Sequence, residues 1–205
     1  MKILFFIDTH GSQAAMRRLK EKASRADLVV CGGDFTIFEN DMSRVLEEFN
    51  KWNRPVLIIH GNHEIKSTVK GECEGLKNLH FIHKTYFIVE DLIFYGYGGG
   101  GFSTTDSEFM HEAELFMLEL KKLEMTNHKK YRLVLVTHAP PYETTIDYKN
   151  DYEGHVGNKS IKDFILKHRP VLSMSGHIHE TSGAEDQINE TKLINPGPEG
   201  MLIDL

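Results

Sequence analysis

Apolar residues gather along the chain in short runs of strand length, at residues 2–7, 28–31, 56–59, 133–137 and 171–174. The runs are rich in β-branched side chains and nearly unbroken by polar ones, the pattern of strands buried on both faces. Between them the apolar positions take up a helical period. Ala15, Leu19, Ala23 and Ala26 mark one helix, and Met42, Val45, Leu46, Phe49 and Trp52 mark a second, with Asn40 or Asp41 as its cap and Pro55 as its stop. A third is predicted over residues 106–125, with Phe109, Ala113, Phe116, Met117 and Leu120 on one face, and a fourth over residues 158–168, closed by Pro170. Alternating strands and helices predict an α/β fold. Residues 86–97 read differently: two short apolar runs flank Glu90 and Asp91, which predicts a hairpin and a second, partly antiparallel sheet.

Two stretches carry no period. Residues 98–101 are consecutive glycines, predicted as a mobile turn rather than a phosphate cradle because no Gly-Lys-Ser/Thr comes after them. Residues 139–157 form a long irregular segment rich in Pro, Tyr, Asp and Gly, predicted to be a loop over a site.

Each apolar run gives way to polar, chemically able residues. Asp8 and His10 come after the first, Asp34 after the second, Asn62, His63 and Glu64 after the third, His138 after the fourth, and His177 and His179 after the last. In an open α/β sheet the carboxyl ends of the strands share one edge, so these separated groups are expected to meet in one crevice. Taken singly, each motif could be a strand-ending turn or a helix cap. Five of the chain's 12 histidines falling just after predicted strands, beside two aspartates and an asparagine, is better explained by a metal site. Imidazole and carboxylate donors without thiolates suit Mn, Fe, Zn, Ni or Co. They also exceed what one tetrahedral ion needs, which points to two divalent ions roughly 3.5–4 Å apart under a bridging carboxylate, an arrangement suited to phosphoryl transfer.

The length of 205 residues fits a single domain spanning residues 1–205, and 40% hydrophobic with 26% charged residues excludes a disordered or fibrous chain. A net charge of -6, with 24 Lys+Arg, excludes the clustered cationic footprint of a nucleic-acid binder. No apolar run reaches the roughly 20 residues of a membrane span. Met1 leads almost directly into the first strand, so no leader, no membrane partner and a cytoplasmic location are expected. Cys31 and Cys73 make no disulfide framework.

The ordered motifs Asp8-Thr9-His10, Gly33-Asp34, Gly61-Asn62-His63-Glu64, Thr137-His138 and Gly176-His177-Ile178-His179 make the chain resemble the calcineurin-like metallophosphoesterases. Ala139-Pro140-Pro141, His155-Val156-Gly157 and Asn195-Pro196-Gly197 extend the likeness toward a small, single-domain prokaryotic branch of that family. The resemblance implies an α/β/β/α sandwich of two mixed β-sheets flanked by helices. It implies a first metal held by Asp8, His10 and His179 and a second by Asn62, His138 and His177, with Asp34 bridging. It further implies that His63 contacts the phosphate and protonates the leaving oxygen while Glu64 orients it. Asn62, His63 and His155 are the expected substrate contacts, and Asp34 and His63 the catalytic pair.

The expected activity is that of a hydrolase, a binuclear metal-dependent phosphodiesterase or phosphatase acting on small phosphodiesters or nucleotide-like phosphate esters through a metal-bridging hydroxide. Manganese is the first choice of ion, with Fe, Zn, Ni or Co as alternatives. A nuclease of the same superfamily is the alternative enzyme, but the chain lacks a basic stripe. A non-catalytic metal-binding interaction module is the third reading, and no ligand position of the motifs is vacant in its favour. A small phosphate ester is the expected partner, with strong nucleic-acid binding not expected and a homo-oligomer left open.

Overall fold

The unbroken apolar runs become strands because each has something to bury on both faces. The computed structural model describes residues 1–205. In chain order its elements are β1 (Lys2–Phe6), α1 (Gln13–Ala23), β2 (Leu28–Cys31), α2 (Met42–Asn50), β3 (Val56–Ile58), α3 (Lys66–Cys73), β4 (Leu79–Phe81), β5 (Thr85–Val89), β6 (Leu92–Tyr97), α4 (Ser107–Asn127), β7 (Arg132–Thr137), α5 (Lys159–His168), β8 (Leu172–Met174), β9 (Glu185–Ile188), β10 (Thr191–Ile194) and β11 (Met201–Asp204). Five strands form one sheet in the order β11-β1-β2-β3-β4, and six form another in the order β5-β6-β7-β8-β10-β9. The inner pairings are parallel; β11, β5 and β9 join antiparallel at the edges, so both sheets are mixed.

The alternation along β1 shows how the layers are built. Leu4 and Phe6 join Leu19 of α1 and Leu46 and Phe49 of α2 in an outer core. Ile3, Phe5 and Ile7 turn the other way and meet Phe94, Val134, Val136 and Met174 of the second sheet. Beyond that sheet, Ile93, Tyr95 and Leu135 pack on Phe109 and Phe116 of α4 and on Phe164 and Ile165 of α5. Three apolar layers therefore separate four layers of structure, an α/β/β/α sandwich. Full burial of each such side chain stabilises the fold by about 1.5–3 kcal/mol.

The structure refines several sequence-based expectations. Asp106 and Asn158 cap α4 and α5, accepting from the amides of Phe109 and Ile161. Asp41 starts α2 at φ 55°, outside the extended geometry that side-chain capping needs, and its carboxylate caps nothing. Helix α1 ends at Ala23, leaving Ala26 buried just beyond it. A fifth helix, α3, and the strands β4, β9, β10 and β11 have no counterpart in the sequence reading. No helix is long and apolar enough to cross a membrane.

Candidate metal centre

The polar residues just past β1, β2, β3, β7 and β8 converge at one end of the paired sheets. The turns carrying them are stitched together through the backbone. The amides of Asp8 and His10 donate to the carbonyls of Gly33 and Asp34, and the amide of Gly176 donates to the carbonyl of His138. Asp8, His10, Asp34 and His177 have φ of 56°, 43°, 48° and 67°, in the left-handed region that asparagine, aspartate and histidine enter more readily than other side chains. Such conformations cost about 1–3 kcal/mol each and persist where surrounding contacts enforce them.

Two groups of donors emerge. In the first, ligand atoms of Asp8, His10 and His179 all lie within 4.8 Å of one another, and the Nε2 atoms of the two histidines are 3.1 Å apart. In the second, Asn62 Oδ1 is 2.8 Å from both His138 Nε2 and His177 Nδ1. Asp34 Oδ2 lies between the groups, 3.9 Å from His10 Nε2 and 3.5 Å from His138 Nε2. His63 is also here: its amide donates to Asp34 Oδ1 at 2.8 Å, and its Nε2 stands 4.0 Å from Asp34 Oδ2.

The donor set fits divalent cations. Lone-pair atoms of neutral imidazoles at such separations repel unless a proton or cation lies between them. Asp8 Oδ1 is buried without any hydrogen-bond partner. His138 Nδ1 lies 3.1 Å from the Gly32 carbonyl, and donation there turns Nε2 toward Asn62 and Asp34, the outer contact that commonly fixes the tautomer of a metal-binding histidine. Burial opposes charge on Asp34, but the hydrogen bond and charge of His138 and the His63 amide outweigh it and hold its pKa at about 2. Burial opposes charge on His138 too, while Asp34 and Asp8 raise its pKa to about 9. Burial, with the charge of His138, lowers His177 to about 4. Burial raises Asp8 and lowers His10. His138 thus lies beside two carboxylates that favour positive charge at this point, the place a divalent cation would suit.

Glu64 does not orient His63 as expected. Its carboxylate is buried and accepts from the amides of Asp34, Thr36 and Gly61 and from the Thr36 hydroxyl, each at 2.9 Å. It clamps the turn after β2 to the turn after β3. No carboxylate reaches the buried His63 Nδ1, which has no partner. Replacing Glu64 with alanine is therefore expected to lower stability by about 3 kcal/mol, since each abandoned buried donor costs about 1–3 kcal/mol. Metal content should fall with it, and Glu64→Gln, which retains one acceptor oxygen, should recover part of both losses. Urea unfolding midpoints with elemental analysis check this; unchanged midpoints in Glu64→Ala would refute the clamp.

His155 lies apart from the His/Asp cluster. Its Nδ1 is 2.7 Å from Asp147 Oδ1, and its ring packs edge-on against Tyr148. Asp147 is fully buried and also accepts from the amides of Glu143, Thr144 and Gly157, so it organises the loop of residues 139–157 around one carboxylate.

Other site residues have little sequence signal. A Cβ on Gly101, at φ 95°, would lie 2.5 Å from His177 Nε2, so the glycine run is a close approach to the His177 ring. Phe38 and Phe102, 74% and 81% exposed, lie against the rings of His63 and His177 on the outer edge of the cluster. Exposed phenylalanines within polar stretches have no periodic pattern that would mark them.

Comparison with known proteins points the same way. Residues 1–181 match the calcineurin-like phosphoesterase family. The protein MJ1162 of Methanocaldococcus jannaschii is 32% identical over 211 residues, covering 99% of this chain and 91% of its own. The solved structure of TT1561 from Thermus thermophilus is similar in fold, with a TM-score of 0.74 at 15% identity over 97% of this chain and 90% of that one. A dimetal phosphatase from Danio rerio is similar in fold at a TM-score of 0.62 and 14% identity, over 94% of this chain and 86% of its own.

Proposed function

The chain belongs to the calcineurin-like phosphoesterase family, and from that premise we propose that it is a binuclear metal-dependent hydrolase of small phosphodiesters or nucleotide-like phosphate esters. The observation that carries the reading is the position of Asp34 within reach of both donor groups. Asp8, His10 and His179 would hold one cation, Asn62, His138 and His177 the other, and Asp34 both. Bound divalent ions would supply Lewis acidity at the phosphate oxygens and an acidified water.

The chain's own residues do the rest. The carboxylates of Asp34 and Asp8 set the negative charge of the pocket, and the Gly32 carbonyl fixes the His138 ring. His63, anchored by its amide to Asp34 and half-open to solvent, would donate a proton from Nε2 to the departing ester oxygen. Asn62 would contact the phosphate beside it. His155, tied to Asp147, would touch only an outer part of the substrate.

A hydrolysis screen with Mn present, over phosphomonoesters, cyclic nucleotides, linear diesters and a long single strand of DNA, tests the proposal. The expected result is chelator-sensitive turnover of a small ester or diester, with little of the polymer. Polymer binding draws its affinity from many Lys and Arg contacts along the strand, and a net charge of -6 opposes it. Strong, salt-sensitive preference for the strand would favour a nuclease, and metal uptake without any turnover would favour a binding module.

A further inference from the structure

A groove of about 530 Å³ opens from His10 and runs between α1 and α2. It lies within the size range of small-molecule sites. On α1 it is lined by Gln13, Met16, Arg17 and Lys20, positions on one helical face that extend about 10 Å along the axis. Met16, Ile37 and Val45 make its apolar portion. Ile37 lines the groove while its neighbour Phe38 lies against the His63 ring, so groove and candidate proton donor share one wall. Lys20 bridges to Glu48 at 2.7 Å and ties the two helices together.

The charges in this groove run against those of the whole molecule. Four cationic side chains, Arg17, Lys20, Arg44 and Lys51, face two acidic ones, Asp41 and Glu48, in a chain of net charge -6. Lys20 is spent on Glu48, and Lys51 stands 4.0 Å from Glu47. Arg17 and Arg44 are exposed and make no ion pair or side-chain hydrogen bond. Guanidinium groups left free beside the His/Asp crevice suit bidentate capture of a phosphate.

We infer that the groove between α1 and α2 seats the body of the substrate, and that Arg17 and Arg44 select esters carrying a second phosphate. This rests on the phosphoesterase reading of the metal centre. The scissile phosphate would lie at the Asp34 cluster, the apolar or aromatic body would pass Phe38 and rest on Met16 and Val45, and the second phosphate would meet the two arginines.

The test compares the nitrophenyl ester of thymidine 5′-phosphate with the same ester carrying a 3′-phosphate, two substrates that share a leaving group. The metal-loaded protein is expected to favour the second by about tenfold in kcat/KM, mainly through KM. Arg17→Ala with Arg44→Ala should abolish that preference and leave turnover of the first substrate within about twofold, because exposed substitutions rarely disturb the fold. Calorimetry with non-hydrolysable phosphonate analogues of thymidine 3′,5′-bisphosphate and thymidine 5′-monophosphate reads the same selection without turnover. Arg-dependent preference for the bisphosphate, with neither ester hydrolysed, would keep the groove and overturn the phosphoesterase reading. Hydrolysis of both esters with equal efficiency, or a preference that survives the double substitution, would overturn the groove and leave that reading standing. No hydrolysis and no preference in binding would overturn both.

Discussion

Replacing Asp34 with asparagine is expected to reduce the content of both divalent ions and to lower kcat/KM by about a thousandfold or more, equivalent to about 4 kcal/mol of lost transition-state stabilisation. Asparagine is the informative choice. It enters the left-handed backbone conformation, φ 48°, that Asp34 occupies, and its amide oxygen can still accept from the His63 amide. Shape and turn geometry are then retained while the charge between His10 and His138 is removed. A neutral amide cannot offset two cations, so the loss should not be confined to one donor group. Elemental analysis after desalting separates the alternatives. Loss of one ion with retention of the other would place Asp34 in a single site, and full metal content with full activity would remove it from the centre altogether.

The parts of this architecture that were legible in the sequence are those with two buried faces. Residues 2–7 and 133–137 read as strands because inner and outer cores both demand apolar side chains, leaving polar residues, Lys2 and Thr137, only at the ends of the runs. Helix α3 was not legible, since only Val69 and Cys73 of Lys66–Cys73 are buried and Gly71 interrupts the run. Strand β4 has three residues and β9 alternates exposed with half-buried positions and carries one apolar side chain, too little pattern to separate from a turn. Among the polar residues, convergence was foreseeable because each lies just past a strand end. The partners of a carboxylate were not: Glu64 reads as the neighbour of His63 and Asp147 carries no signal of its own, yet each is buried to receive backbone amides from turns far along the chain or across a loop. Side-chain type predicts what a residue can bind, whereas the choice among available donors is made by packing.

His63 presents the sharpest choice of that kind, because its Nε2 is near enough to Asp34 and His10 to be a ligand as well as a proton donor. Substitution by alanine is expected to leave metal content unchanged and to cut turnover by about 100-fold or more for esters with poor leaving groups, the usual scale of general acid catalysis. For nitrophenyl esters the loss should be much smaller, since nitrophenolate departs without a proton. The ring is packed between Phe38 and His10, with centroid distances of 4.6 and 4.7 Å, so its removal leaves a local cavity at a half-exposed edge rather than in the core. Metal analysis and the ratio of kcat values on alkyl and nitrophenyl esters therefore report on separate roles. A drop in metal content would make His63 a ligand. Intact metals with equal losses on both esters would make it a phosphate-positioning residue, and only intact metals with a leaving-group-dependent loss support the proton transfer proposed for it.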